Sequence, residues 1–134
     1  MKQRTAVQRE VGRLLDELAP ERPPARHDAP VLAIKRHRAP GRCILQGESR
    51  AVSVSWFPAR PDADTLGEVV VTEWRGEVSL PGHTRRSNAG AVAVETTLFR
   101  PMETSGGTWE WRSEGGAPAY GTDALAMYCR GLVE

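Results

Sequence analysis

The chain has 134 residues, of which 40% are hydrophobic and 26% charged, and its 18 basic and 17 acidic side chains leave a formal net charge of +1. This length fits one domain, and the composition excludes global disorder. Nucleic acid is an unfavoured partner because a dedicated binder carries a clear basic excess. No apolar run approaches the roughly 20 residues of a membrane helix. The charged N-terminus lacks the apolar stretch of a signal peptide, so we expect no membrane partner and a cytoplasmic location.

The cysteines and histidines give no sign of a metal centre or of an activated nucleophile. Cys43 and Cys129 lie far apart and lack metal-ligand spacing. All three histidines, His27, His37 and His83, fall in predicted loops. We therefore predict two free thiols, no metal, no cofactor and no identifiable catalytic residue.

The first segment has the apolar spacing of one helical face. Prolines follow it from Pro20 onwards, and a proline removes a helical hydrogen bond. The pattern predicts a helix over residues 1–19 and a proline-rich connector over 20–30. The apolar stripe of this face consists of Val7, Val11, Leu14, Leu15 and Leu18. Four of them, Val7, Val11, Leu14 and Leu18, have a heptad-like spacing that can pair with the helix of a second copy.

Between residues 31 and 114 the pattern changes to short runs that alternate with period two, which is typical of half-buried strands. Short connections between consecutive strands favour antiparallel neighbours. Glycines and Pro118 then end the strands, and Thr122 or Asp123 can cap a last helix over 121–133. The predicted strands are 31–35, 42–46, 51–57, 68–78, 91–100 and 108–113.

The predicted fold is a single α+β domain over residues 1–134. A curved antiparallel sheet of about five or six strands, a meander or half-barrel over 31–114, is flanked by a helix at each end. The two helices can cover one face of the sheet. The predicted covered face includes Val70, Thr72, Trp74 and Val78, followed by Val92, Val94, Thr96 and Leu98. The predicted wet face, with cross-strand ion pairs, carries Glu73, Arg75, Glu77, Glu95, Thr97, Glu110 and Arg112.

All four tryptophans fall on the predicted covered face. Converging indoles can line an apolar pocket for a planar ligand, and large aromatics can equally fill a core. A core role is the more common one for such residues, and two short helices beside six strands keep the pocket hypothesis open. The predicted ligand-binding residues are Trp56, Trp74, Trp109 and Trp111.

Two basic stretches fall in predicted connections. Residues 80–90 form the most polar loop, in which His83, Arg85 and Arg86 could clamp a phosphate or carboxylate. A solvated hairpin tip would have the same composition, and no phosphate-binding glycine motif is present. Residues 35–38, which read Lys-Arg-His-Arg, could form a surface for an acidic partner.

Three functional hypotheses follow from these observations. The leading one is a non-enzymatic binding module that holds a small apolar or planar ligand, or a partner's segment, near the tryptophans. The alternative is a protein–protein or assembly domain that forms a homo-oligomer through its N-terminal helix. An enzyme or nucleic-acid binder that uses the 80–90 loop is the least favoured of the three.

Overall fold

The computed structural model describes residues 2–20, 34–78, 91–114 and 119–133. A helix stands at each end of the chain, as the sequence predicts, and an antiparallel sheet lies between them. Of the predicted connector, residues 20–30, only residue 20 belongs to the described part of the chain. The elements are α1 (Lys2–Leu18), β1 (Lys35–Ala39), β2 (Arg42–Gln46), β3 (Arg50–Pro58), β4 (Gly67–Arg75), β5 (Val92–Glu103), β6 (Trp109–Ser113), β7 (Tyr120–Gly121) and α2 (Thr122–Gly131).

The sheet is an open meander in which each strand pairs with the next one along the chain, in the order β1 to β7. It has seven strands rather than the predicted five or six, and the extra one is the two-residue β7. The first strand lies at 35–39, whereas the sequence predicts 31–35, of which 31–33 lie outside the described residues. The pairing explains this shift: the turn at Gly41, whose φ of +73° suits glycine, brings Ala39 opposite Arg42.

The apolar stripe of α1 packs into the core. Its five members, Val7 to Leu18, are each at most 4% exposed. They join a cluster that also contains Leu45, Val54 and Leu125. At roughly 25 cal/mol per Å² of buried apolar area, such a face supplies most of the helix's stability. The stripe proposed to pair with a second copy is thus buried within the same chain, and the homo-oligomer itself stays a prediction.

The two helices lie side by side and are joined by polar contacts. The Arg13 guanidinium donates to the Asp123 carboxylate at 3.1 Å. Arg130 donates to the backbone oxygen of Glu17 at 3.3 Å. Neither helix, within the part of the chain that the structure describes, is long and apolar enough to cross a membrane.

We call the face of the sheet that contacts the helices the helix-side face and the opposite one the outer face. The helix-side face carries Val69 and Val71 of β4 and Phe99 of β5, each at most 2% exposed. The residues predicted to face the helices in β4 and β5 are therefore the wrong set, because the buried side chains are the ones that alternate with them. On the outer face lie Val70, Thr72, Trp74, Thr96 and Leu98.

The same phase error applies to the predicted wet face. Glu73, Glu95 and Thr97 alternate with the outer residues and share the helix-side face with Phe99. Glu110 and Arg112 lie on the outer face, because Trp109 and Trp111 are turned into the core. The physical reason is that one large buried ring, Phe99, contributes more to burial than the small β-branched residues that alternate with it.

Candidate functional site

Three of the four tryptophans belong to the core on the helix-side face. Trp111 is fully buried, Trp109 is 8% exposed, and Trp56 is half-buried. The rings of Trp56 and Trp111 meet edge to face, with centroids 6.4 Å apart. Gly67 makes room for Trp56, since a Cβ there would lie 2.7 Å from its ring. The buried Nε1 of Trp56 has no hydrogen-bond partner among the described residues, so a ligand at this ring stays a hypothesis.

Trp74 lies apart from the other three, on the outer face, and the prediction that all four share one face is wrong. Its Nε1 donates to Ser53 Oγ on β3 at 3.0 Å, and it pairs with Ala51 in the register. The indole therefore leans towards β3 and away from β5. A small residue and a hydroxyl on β3 accommodate the ring, which is why a large aromatic can lie outside the core.

The predicted anion-binding residues His83, Arg85 and Arg86 lie outside the described residues, so that hypothesis stays a prediction. The other basic stretch forms the edge strand β1. Within it, Arg38 donates to Asp16 at 2.7 Å and to the backbone oxygen of Ala19 at 3.1 Å. This arginine therefore joins the sheet to α1.

A polar relay joins β6, α2 and α1 near one end of the core. Trp111 Nε1 donates to Thr122 Oγ1 at 3.0 Å, and this hydroxyl donates in turn to Glu10. Arg13 donates to the same Glu10 oxygen at 2.8 Å. Burial opposes ionisation of Glu10, but the bonds from Arg13 and Thr122 outweigh it and lower the pKa of the carboxyl. A carboxylate held in this way is a weak base at neutral pH. We therefore interpret the relay as a structural contact between β6, α2 and α1.

Among the described residues, two of the clefts on the surface are shallow and have volumes of about 560 Å³ and 490 Å³. Glu10, Arg13 and Asp123 line the larger cleft, and their charges are already paired with one another. The smaller cleft lies between the β3–β4 connection and the hairpin after β5. No group of three His, Cys, Asp or Glu side chains that could hold a metal occurs in the described ranges.

Both cysteines are buried in the core. Burial raises the pKa of the Cys43 and Cys129 thiols to about 12. Since the thiolate is the nucleophile, neither group is activated for covalent catalysis at neutral pH.

The feature that the sequence does not reveal is an open edge on β5. This strand has twelve residues, whereas β6 has five and pairs only with residues 99–103. We call residues 92–98 the open segment and residues 99–103 the closed segment. The open segment pairs with β4 on one side, and among the described residues no strand pairs with it on the other.

The direction of the backbone groups along β5 follows from the hairpin that joins it to β6. The Thr104 N–H donates to the Thr108 oxygen at 2.8 Å, so these two residues face each other. Backbone groups alternate in direction along a strand, which makes residues 102, 100, 98 and 96 face the side of β6. Thr96 and Leu98 therefore direct their N–H and C=O groups to the open edge, whereas Thr97 and Phe99 bond to β4.

The open segment lacks several of the features that usually protect an edge strand. It contains no lysine and no proline, and Val92 and Val94 are 66% and 47% exposed. One protective device is present: β5 has an extra residue at Val94, between Glu95 opposite Glu73 and Ala93 opposite Trp74. The regular part of the edge is therefore residues 95–98.

Tyr128 of α2 borders this edge on the helix-side face. Its ring stacks on Tyr120 with centroids 5.4 Å apart, and both meet Phe99 edge to face. Burial first, and then the negative charge of Glu95, raise the pKa of the Tyr128 phenol. Thr97 lies within hydrogen-bonding reach of that phenol. The edge thus has an aromatic and an acidic neighbour on the same face.

Comparison of the chain with protein-family models, with curated proteins and with solved structures found no match.

Proposed function

We propose that this chain is a non-enzymatic binding module that takes up an extended segment of a partner protein along the open segment of β5. The observation that carries the proposal is the mismatch between β5 and β6, which leaves Thr96 and Leu98 with outward backbone groups. A strand edge of this kind can bind a peptide through main-chain hydrogen bonds, and neighbouring side chains then provide selectivity.

The exposure of the open segment supports this reading. Residues 92–96 are exposed on both faces of the sheet, although they belong to one of its longest strands. Their composition, Val-Ala-Val-Glu-Thr, has high β-propensity. A segment that adds to this edge completes the ladder without displacing any described element.

A partner's segment agrees better with the described residues than the other predicted ligand, a small planar molecule held by four tryptophans. Trp109 and Trp111 fill the core, and Trp74 lies on the other face, above β3. A second candidate, a planar ligand at the buried Nε1 of Trp56, rests on that single unsatisfied donor.

The test compares Thr96→Pro with Thr96→Ala. The proline removes the outward N–H at a position where edge strands tolerate it. Both variants lose the contact of the Thr96 hydroxyl with Thr72 Oγ1, which is 3.3 Å away, so they differ in the backbone alone. The probe is a displayed library of random eight-residue peptides. We expect peptides enriched on the native chain to bind Thr96→Ala and to lose at least tenfold in affinity for Thr96→Pro, the equivalent of about 1.4 kcal/mol.

Amide NMR shifts locate the bound peptide, and thermal unfolding checks that both variants fold. Shifts centred on Thr96 and Leu98 support the proposal. Failure to enrich any peptide, or equal binding to both variants, contradicts it. Shifts centred on Trp74 or Trp56 place binding at a tryptophan and also contradict it. A concentration-dependent dimer of the native chain that Thr96→Pro abolishes makes a second copy the occupant instead.

A further inference from the structure

We infer that the segment bound at β5 carries an arginine or lysine whose side chain meets Glu95 on the helix-side face; this inference rests on the proposed function. The open edge lies beside a pair of carboxylates, Glu73 and Glu95, whose charge a partner strand would balance.

Glu95 lies directly opposite Glu73 in the register of β4 and β5. Side chains that oppose each other in this way have Cβ atoms about 4.5–5.5 Å apart, and like charges there destabilise the sheet. Neither carboxylate forms an ion pair with any described residue, whereas five other ion pairs occur in the same part of the chain. Beside its open edge the sheet therefore carries two facing carboxylates that form no ion pair with a described residue.

The geometry of strand addition brings a partner's side chain next to Glu95. Glu95 bonds through its backbone to β4, so on the open side it occupies a position without backbone hydrogen bonds. In an antiparallel pair such positions have the closer side chains, with Cα atoms about 4.5 Å apart. If the segment adds in the antiparallel sense, its residue opposite Glu95 lies on the helix-side face, in line with Glu95 and Glu73.

A basic residue at that position is favoured on two grounds. It forms an ion pair with Glu95, and it lowers the repulsion between Glu95 and Glu73. The stacked rings of Tyr120 and Tyr128 border the same face, and a long aliphatic stem can pack against them while its charge reaches the carboxylate. An acidic residue there would add a third carboxylate to the row and is selected against.

The experiment selects from the same random-peptide library on the native chain, on Glu95→Gln and on a control, Glu110→Gln. The control removes an equal charge from the outer face of β6. We expect a basic residue to be enriched at one peptide position on the native chain and on Glu110→Gln, and to lose that enrichment on Glu95→Gln.

The best native peptide is then made with this basic residue replaced by glutamine, and both peptides are titrated against the three proteins. For an exposed ion pair we expect the replacement to weaken binding by about threefold on the native chain and on Glu110→Gln. On Glu95→Gln it should have almost no effect. A replacement that weakens binding equally on all three proteins overturns the inference.

The two failures are distinguishable. Peptides that bind with no preference for charge, yet are lost on Thr96→Pro, overturn the inference and leave the proposed function standing. If no peptide binds at the β5 edge, both proposals fail together.

Discussion

Residues 99–103 of β5 pair with β6, and Phe99 pairs with β4 as well, whereas residues 92–98 pair with no described strand other than β4. In the closed segment, Phe99 is 1% exposed beneath the tyrosines of β7 and α2. In the open segment, Val92 and Val94 are exposed although their side chains are equally apolar. Within a few residues, one strand therefore passes from a core environment to an edge that no described strand covers.

The contrast teaches that a residue's contribution to this sheet depends on what flanks the strand more than on its β-propensity. The closed segment is held by β6, and β6 is held by the relay from Trp111 through Thr122 to Glu10. Among the described residues, the open segment is held by the β4 ladder alone. It is therefore the part of the strand at which a further strand can be added at the lowest cost in free energy.

The largest expected effect is on the free energy of unfolding, when one apolar side chain is truncated in each of the two segments. Phe99→Ala should lower the free energy of unfolding by about 3–5 kcal/mol, because it removes a buried ring and leaves a cavity. Val94→Ala, at an exposed site in the bulge, should change it by less than about 0.5 kcal/mol. Chemical denaturation of both variants measures the difference. Similar losses in the two variants would show that the open segment is covered in solution.

A smaller effect concerns the support of the closed segment. The pKa of Glu10 is lowered from its usual 4.5, so the ionised form stabilises the fold above that pH, and this contribution is lost as the pH falls through the lower folded value. Glu10→Gln should cost about 1 kcal/mol at pH 7, where a charge-assisted hydrogen bond is weakened. Its unfolding free energy should then fall less steeply than that of the native chain between pH 4.5 and the acid limit. Parallel curves for the two proteins would contradict this.

The smallest effect requires no substitution. The amides of Thr97 and Phe99 bond to β4 and should exchange with deuterium on the order of a hundredfold more slowly than those of Thr96 and Leu98. Amide exchange measured residue by residue by NMR tests this alternation. Equal protection of neighbouring amides would mean that a second strand already covers the edge.

Much of the architecture could be predicted from the sequence. The stripe of α1 has a clear helical period, and the sheet positions Val52, Val54 and Trp56 alternate with serines, so α1 and β3 lie close to their predicted bounds. Prolines and glycines mark the connections, and short connections imply the antiparallel meander.

The faces of β4 and β5 could not be predicted in the same way. Val69, Val70 and Val71 form an unbroken apolar run, so no alternation indicates which of them is buried. In β5, Val92, Val94, Thr96 and Leu98 alternate perfectly in the sequence, but Thr96 and Leu98 lie on the outer face, and beyond the bulge Val92 is opposite Arg75 on the other face. Phe99 and the bulge at Val94 determine which side chains of β5 face the helices. Both depend on how β5 pairs with β4, which the sequence of β5 alone does not show.

The open edge of β5 could not be predicted from the sequence, for a related reason. An edge is left open when the neighbouring strand is short, and β6 is only five residues long. The available signal was the unequal length of the two predicted runs, 91–100 against 108–113. The like-charge pair of Glu73 and Glu95 could be found only once the register was known, because the two residues are far apart in sequence.

The packing of α1 against α2 also bears on how the protein is made. Arg13 and Asp123, which meet across the two helices, are 110 residues apart in the chain. At a synthesis rate of about 5–20 residues per second, the ribosome needs between about 5 and 20 seconds to add that length. During this interval the apolar stripe of α1 has neither the finished sheet nor the last helix to pack against. The nascent chain is therefore expected to need shielding, by a chaperone or by the exit region of the ribosome, until its C-terminal helix emerges.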